Sequence, residues 1–537
     1  MPASDTPPAG RKLSADRVLT IADGLAKMRS VRRKYPGSYA GAYLKGPLHW
    51  QVSYFSRGGA KEIGQVIIAD SSGRVLEQWT GFQVAWSMAR GYPGAFGRHV
   101  NALYVWLPLC VLFMFPFLDF RRPLSLLHLD LLVLLSFSVS LAFFNHAHIY
   151  ASVPLVYPPL VYLLVRMLAL SRRKRSRGEP RPLRLLVPLP WLALGVVFLI
   201  GFRVALNVTD SNVIDVGYAG VIGGQRIVDG KSLYGSYPSD NEHGDTYGPV
   251  NYEAYVPFEQ IFGWSGRWDD LPAAHAAAIT FDLLAVALLF LLGRRVRGPA
   301  LGVALAYAWV AFPFTLFTLE SNSNDALVAV LVLAALLACS YRSTVGRSAS
   351  GALAALAGLT KFAPLALAPL LATHDEGGRG GGLSARRLRS CAVFVVAFLA
   401  AAALASIPAL SHDSLHTIYE RTIAYQGERG SPFSVWGLYG GLGGVQLGVQ
   451  IAAVVLAVAL AFVPRRADLV GLAAACAAVI VATQLGIDHW FYLYIPWFFP
   501  LVMLALLGRF SDPRSLPPAL ASAPARSSRP AVAASSG

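Results

Sequence analysis

Residues 185–218 read LLVPLPWLALGVVFLIGFRVALNVTDSNVIDVGY. The stretch is apolar almost to its end, and then Asp210, Asp215 and Tyr218 arrive within a few positions. About 20 consecutive apolar residues cross a bilayer as one helix, so 185–206 is expected to span a membrane. Sequence rich in Tyr, Asp, Gly and Pro follows, and apolar sequence returns only near residue 273. An acidic residue and a group of tyrosines therefore stand where a helix leaves the bilayer.

The rest of the chain reads the same way. Of its 537 residues 55% are hydrophobic and 14% charged, with a mean hydropathy of +0.49, against about 25% charged in soluble domains. Further apolar spans are expected at 102–118, 124–144, 152–170, 273–293, 299–317, 325–341, 351–372, 390–409, 438–463, 467–486 and 490–508. The expected class is an all-α polytopic membrane protein with about 11–13 transmembrane helices. A membrane barrel would alternate apolar and polar residues instead. The net charge of +16 does not point to nucleic acid, because the arginine clusters sit at the ends of apolar segments, as in cytoplasmic loops. Cys110, Cys339, Cys391 and Cys476 all fall within apolar segments and show no metal spacing or disulfide framework. No cleavable signal peptide is expected, since the first long apolar run begins only near Asn101.

Ahead of the spans lies a small α+β domain over 14–100, behind a loose segment 1–13. Residues 15–34 have helical periodicity, while 50–55, 62–70 and 75–79 read as strands, with 71–74 a turn. The stretch IIADSSGRVLEQW, an apolar strand ending in Asp before a Gly turn, resembles a PepSY module. Such modules regulate or bind rather than catalyse. Three additional helices over 101–184 and a disordered tail over 511–537 complete the outline.

Basic loops orient the spans. Arg172 to Arg177, Arg294 to Arg297, Arg342 with Arg347, Arg386, Arg387 and Arg389, Arg465 with Arg466, and the tail from Arg509 are expected inside. The segment 351–372 has basic flanks on both sides and is interrupted by Thr360-Lys-Phe-Ala-Pro364. Two half-helices forming a hairpin satisfy both flanks. Loops 207–272, 318–325, 408–437 and 487–489 then lie outside, and parity carries 1–100 outside too. That front segment holds 14 basic and 6 acidic residues, which pulls mildly the other way.

The polar residues of the expected outer loops include Asp210, Asp215, Tyr218, Tyr234, Asp245, Tyr247, Tyr252, Glu320, Asp325, Arg421, Arg429, Trp436 and His489. Lys361 sits in the hairpin. The pattern resembles the GT-C superfamily of polyprenol-phosphate-sugar-dependent glycosyltransferases, and within it the bacterial α-mannosyltransferase-type branch labelled DUF2029. The resemblance covers 185–508. It rests on Asp215 with Tyr218 and Gly230-Lys-Ser-Leu-Tyr234, on Tyr247-Gly248-Pro249, and on Gly358-Leu-Thr-Lys-Phe-Ala-Pro364. Arg429-Gly-Ser-Pro-Phe-Ser-Val-Trp436 and Tyr492-Leu-Tyr-Ile-Pro-Trp497 continue it. The front 185 residues depart from that pattern.

The resemblance implies transfer of a sugar, mannose or a related hexose or pentose, from a polyprenyl phosphate to an extracytoplasmic glycolipid or glycan acceptor. It implies a multi-pass protein of the plasma membrane. Such transfer needs a base for the acceptor hydroxyl and fixed cations for the departing phosphate. Asp215 is the expected base of an inverting reaction, with Asp210 as the alternative. Lys361, Arg421 and Arg429 are the expected phosphate partners, His489 a hydrogen-bonding partner, and Tyr218, Tyr247 and Trp436 stacking surfaces. No cofactor is required, although Glu320 and Asp325 offer oxygen ligands to a divalent cation. Each residue also has an ordinary reading: a helix-end carboxylate, a snorkelling lysine, solvated loop arginines, or an interfacial aromatic belt. Two other functions stay open, a secondary transporter and a sensor built on the front module. A transporter would gather its polar groups at the bilayer centre.

Overall fold

The computed structural model describes residues 5–58, 61–91, 98–172, 182–374, 385–463 and 467–510. The expected disordered tail, most of the basic loop after Arg172, Arg465 with Arg466, and most of the loop between the hairpin and the next span lie outside the described residues.

The front domain is a four-stranded antiparallel meander, β1 (Tyr39–Lys45), β2 (His49–Phe55), β3 (Glu62–Ala69) and β4 (Val75–Thr80), in the order β1-β2-β3-β4. β1 is a strand the sequence did not announce. The expected helix over 15–34 is two helices, Ala15–Asp23 and Ala26–Lys34, parted at Gly24. Val18, Ala22 and Met28 pack on Trp50, Val52, Tyr54 and Ile68. Part of the segment expected to be loose is tied down. The backbone N–H groups of Lys12 and Leu13 donate to the Asp70 carboxylate, at 2.9 and 3.1 Å, beside the Trp50 indole at 2.9 Å.

The remainder is helical, and helices form at every expected span. Among the described residues six are long and apolar enough to cross a bilayer: Leu126–Asn145, Ile149–Arg172, Leu189–Asp210, Pro272–Arg297, Arg387–Ala405 and Gly443–Phe462. The pair Pro299–Ala311 and Pro313–Glu320 is long and apolar enough only when taken together, and it is bent by 57°, where Pro313 cannot continue the first helix. Shorter apolar helices include Asp325–Cys339, Leu469–Leu485 and Tyr492–Leu507. These short helices are enclosed along most of their length, whereas Arg387–Ala405 and Leu189–Asp210 are only 11% and 17% buried. Apolar side chains such as Trp191, Val197 and Phe198 point outward there, as a lipid-facing surface requires.

The hairpin forms with unequal arms. Thr344–Thr360 is a full helix, the chain turns extended at Lys361, and Ala363–Leu367 with Ala368–Ala372 returns. Arg347 latches the two ends together, its guanidinium donating to the carbonyls of Leu371 and Ala372 at 3.1 and 2.7 Å.

A buried pair fixes the middle of the bundle. Arg203, on Leu189–Asp210, donates to Asp282, on Pro272–Arg297, at 2.5 and 3.1 Å, and the Trp309 indole adds a bond at 2.8 Å. Both side chains are almost fully enclosed. Removing one member leaves the other buried and unpaired, at a cost of about 3–5 kcal/mol, whereas replacing both with apolar residues is often neutral. Arg203→Leu should therefore lower the thermal stability of the detergent-purified protein, and Arg203→Leu with Asp282→Leu should restore most of it. A double variant no more stable than the single would contradict this account.

Candidate functional site

Leu189–Asp210 ends before Asp215, and Asp215 opens a new helix, Asp215–Val228. The sequence placed Asp215 at the exit of the span; the structure places it in a first turn. There the unpaired N–H groups and the helix dipole favour a negative charge. The Asp215 side chain is exposed, while residues 216–224 behind it are buried. Even so, burial is the largest influence on its carboxyl and raises its pKa above the usual range, with Arg429, the Val216 N–H and Lys361 pulling it down and Asp325 pushing it up.

The helix does continue to Tyr218, but that ring is enclosed. Tyr218 stacks on Trp268 at 5.0 Å and donates to Asp240 at 3.3 Å. The glycines that follow lie inside the helix, and the protein's own rings fill the space beside them. A Cβ on Gly220 would meet the Tyr255 ring at 2.6 Å, and one on Gly223 the Tyr252 ring at 2.3 Å.

The three expected cations have three different settings. Lys361 Nζ lies 2.6 Å from Asp325 Oδ1, which also accepts from the Trp497 indole at 2.9 Å. The rings of Tyr247, Trp497 and Tyr494 surround the ammonium at 5.2, 5.2 and 5.5 Å. Arg421 makes a two-pronged bond to Asp245 at 2.7 and 2.8 Å and another to the Glu242 carbonyl at 2.8 Å. It joins the loop after Asp215–Val228 to the segment that follows Leu415–Tyr419. Arg429 has no ion-pair partner among the described residues. Its guanidinium lies over the rings of Trp86 and Tyr425, at 5.2 and 6.0 Å, and its Nε is buried without a hydrogen bond.

His489 bonds Ser431 through Nδ1 at 2.9 Å and packs on Phe433 and Trp86. Burial, then the charges of Arg429 and Lys361, hold it well below the ordinary histidine range, so it is a neutral hydrogen-bonding ring. Tyr247 is half-buried, with its N–H donating to Tyr252 at 3.2 Å. Trp436 donates to the Leu485 carbonyl at 2.9 Å and meets Tyr157 edge-on. Asp210 is held by His99 of the front linker, at 2.5 Å to the ring and 3.2 Å to the backbone.

Glu320 and Asp325 do not share neighbours. Asp325 is paired with Lys361, whereas the charges around Glu320 are those of Arg203, Asp282 and Asp210. A divalent cation between the two does not fit, and no cluster of three or more His, Cys, Asp or Glu able to hold a metal occurs among the described residues. Close to Asp325 several buried polar atoms lack partners: Asp325 Oδ2, Asn324 Oδ1, Asn251 Nδ2 and the Tyr255 hydroxyl. Buried polar groups are nearly always satisfied, so water or a ligand is the natural occupant here.

Sequence reasoning missed Trp86, Tyr425 and Tyr494. Tyr494 lay in the quoted aromatic run, and Tyr425 lay in an outer loop without a distinctive pattern. Trp86 lay in a segment read as accessory.

Residues 246–486 match Glycosyltransferase family 87. The stretch falls short of half the chain. It includes Tyr247, Lys361, Arg421, Arg429 and Trp436, and stops short of Asp215 on one side and His489 on the other. The glycosyltransferase class expected from the sequence is thus met over this segment. No curated protein matches the chain. Among solved structures, a structure titled as ArnT from Cupriavidus metallidurans bound to undecaprenyl phosphate is similar at 18% identity and a TM-score of 0.41. The chain spans 60% of that protein's length, through 60% of its own.

The hairpin tip is packed tightly against the outer loop. A Cβ on Gly248 would lie 2.0 Å from the Leu359 carbonyl, two residues before Lys361, and backbone cannot yield as a side chain can. Gly248→Ala should destabilise the protein by about 1–3 kcal/mol, the usual range for overpacking. Gly444→Ala, with open space around it, should not. Equal melting of the two variants would refute the close packing.

Proposed function

We propose that this chain is an integral membrane glycosyltransferase that moves a sugar from a polyprenyl phosphate to a hydroxyl of a glycolipid or glycan acceptor. The reaction takes place on the extracytoplasmic face of the plasma membrane, and the sugar is mannose or a related hexose or pentose. One observation carries the reading: Asp215 is an exposed carboxylate that feels the charge of Arg429, a cation left without a carboxylate partner among the described residues.

The chemistry follows from those two groups. Asp215 takes the proton of the acceptor hydroxyl as its oxygen attacks the anomeric carbon. The bond from that carbon to the phosphate oxygen breaks on the opposite face, which inverts the configuration. The electron pair leaves with the polyprenyl phosphate, whose charge Arg429 meets with its N–H fork, a geometry suited to phosphate. Lys361 adds a charge already balanced by Asp325 and acts with Tyr247 as a rigid wall. Asp210 is the weaker candidate for the base because His99 occupies its carboxylate. The polar groups gather where the loop that carries Tyr247 and the hairpin tip at Lys361 meet.

Asp215→Asn keeps size and hydrogen bonding but removes basicity. It should lower kcat at least about a hundredfold, the lower range for a lost general base, with little change in affinity for polyprenyl phosphate. Asp210→Asn should keep most activity. Transfer of radiolabelled sugar by purified protein measures both, and the reverse pattern would assign the base to Asp210.

The pH profile supplies a second check. The base must be ionised, so activity is lost as pH falls through the Asp215 pKa, which burial places above the usual carboxylate value. Arg429 pulls that pKa down. Arg429→Ala should therefore move the acid limb of kcat/KM to higher pH and raise the KM for the donor. An unmoved limb would separate Arg429 from Asp215.

A further inference from the structure

The front domain reaches the site through one short strap. Helix Phe82–Ala85 leads to Trp86, and the turn Ser87–Arg90 follows. The strap is fastened to the sheet of the front domain: Arg90 lies over the Trp79 ring at 5.7 Å and 3.7 Å from Glu77, both on β4. It is closed on itself, since the Arg90 guanidinium donates to the carbonyls of Gln83 and Val84, at 2.9 and 3.1 Å, and Gln83 donates to that of Ala89 at 2.9 Å. It is also fastened to the membrane domain. Phe82 packs edge-on against Tyr150 at 5.7 Å. Gly91, at a φ of +52°, lies so close to the turn at 145–147 that a Cβ would meet the Ala147 nitrogen at 2.4 Å.

Between these anchors Trp86 lies on two outer loops at once. Its ring is 5.4 Å from Phe433 and 5.7 Å from His489, and the Arg429 guanidinium sits 5.2 Å from its centroid. A guanidinium held by ring faces keeps its in-plane N–H donors free. A carboxylate partner would occupy those donors, as Asp245 does those of Arg421.

We propose that Trp86 is a positioning residue for Arg429: the front domain supplies the ring that holds the phosphate-binding cation of the membrane domain in place with its donors free. This rests on the reading of Arg429 as the partner of the donor phosphate. The position of the front domain is thereby coupled to donor binding. Any partner or ligand that displaces that domain loosens Arg429.

The test is the affinity of the full-length protein in nanodiscs for polyprenyl phosphate without a sugar. Trp86→Ala should weaken binding roughly tenfold, within the range for a partly desolvated cation over Trp, and so should Arg429→Ala. The double variant should bind no more weakly than Arg429→Ala alone, because the ring acts only through the cation. Trp86→Phe should keep most of the affinity. Trp86→Leu fills the gap against Phe433 without offering a π face, and should behave like Trp86→Ala. Multiplicative losses in the double variant would overturn the proposal, as would full affinity in Trp86→Leu. If Arg429→Ala itself binds normally, the phosphate reading of Arg429 fails first. If Arg429→Ala is impaired while the Trp86 variants are not, only the positioning role falls.

Discussion

Lys361 and Asp325 form a contact on which several segments of the membrane domain converge. The lysine is the turning point of the hairpin and the aspartate is the first residue of Asp325–Cys339. Trp497 belongs to the last helix and Tyr247 to the first large outer loop, and both touch this pair. Four separate chain segments therefore meet at one ion pair. Removing two charges from water costs several kcal/mol for each ion, and their attraction offsets this only with good geometry and further hydrogen bonds. The indole bond and the ring of aromatic faces meet that requirement for three sides of the pair. The unpartnered Asp325 Oδ2 is the side that remains.

The same accounting separates the arginines of the site. Arg421 and Arg203 are each paired two-pronged with a buried aspartate, an arrangement that fixes geometry and leaves little donor capacity. Arg429 is the exception, stacked rather than paired. In the proposed reading of Arg429 as the partner of the donor phosphate, a carboxylate would compete with the phosphate for the same fork. Aromatic faces hold the cation without that competition. The neutral His489 beside it fits the same economy: desolvated next to two cations, it adds a polar atom and no charge.

Much of this was legible in the sequence. Every expected span coincides with helices, because a long apolar run has no alternative in a bilayer to satisfying its own backbone. The hairpin was legible from two basic flanks and a break at Lys361, a conflict that only a chain reversal resolves. What local pattern could not show was pairing. The partner of Arg203, Asp282, lies 79 positions away, beyond the reach of any local pattern. Tyr218 looked like ligand surface because the ring that covers it, Trp268, comes from a segment 50 positions later. Trp86 gave no signal, since neither helical nor strand periodicity marks a strap folded back over loops hundreds of residues away.

The lengths of the helices explain why the site lies where it does. A helix that faces lipid must cover the whole apolar thickness, and the most exposed helices, Leu189–Asp210 and Arg387–Ala405, are long. A helix enclosed by others is released from that constraint, and Asp325–Cys339, Leu469–Leu485 and Tyr492–Leu507 stop short. Irregular backbone at membrane depth is tolerated only where protein or a polar cavity covers it. Residues 321–324 and Lys361 are buried, and 486–491 are largely enclosed. Asp215, at the start of a helix, combines a carboxylate favoured by the helix dipole with surroundings that raise its pKa. A carboxylate on a fully solvated loop would lack that desolvation.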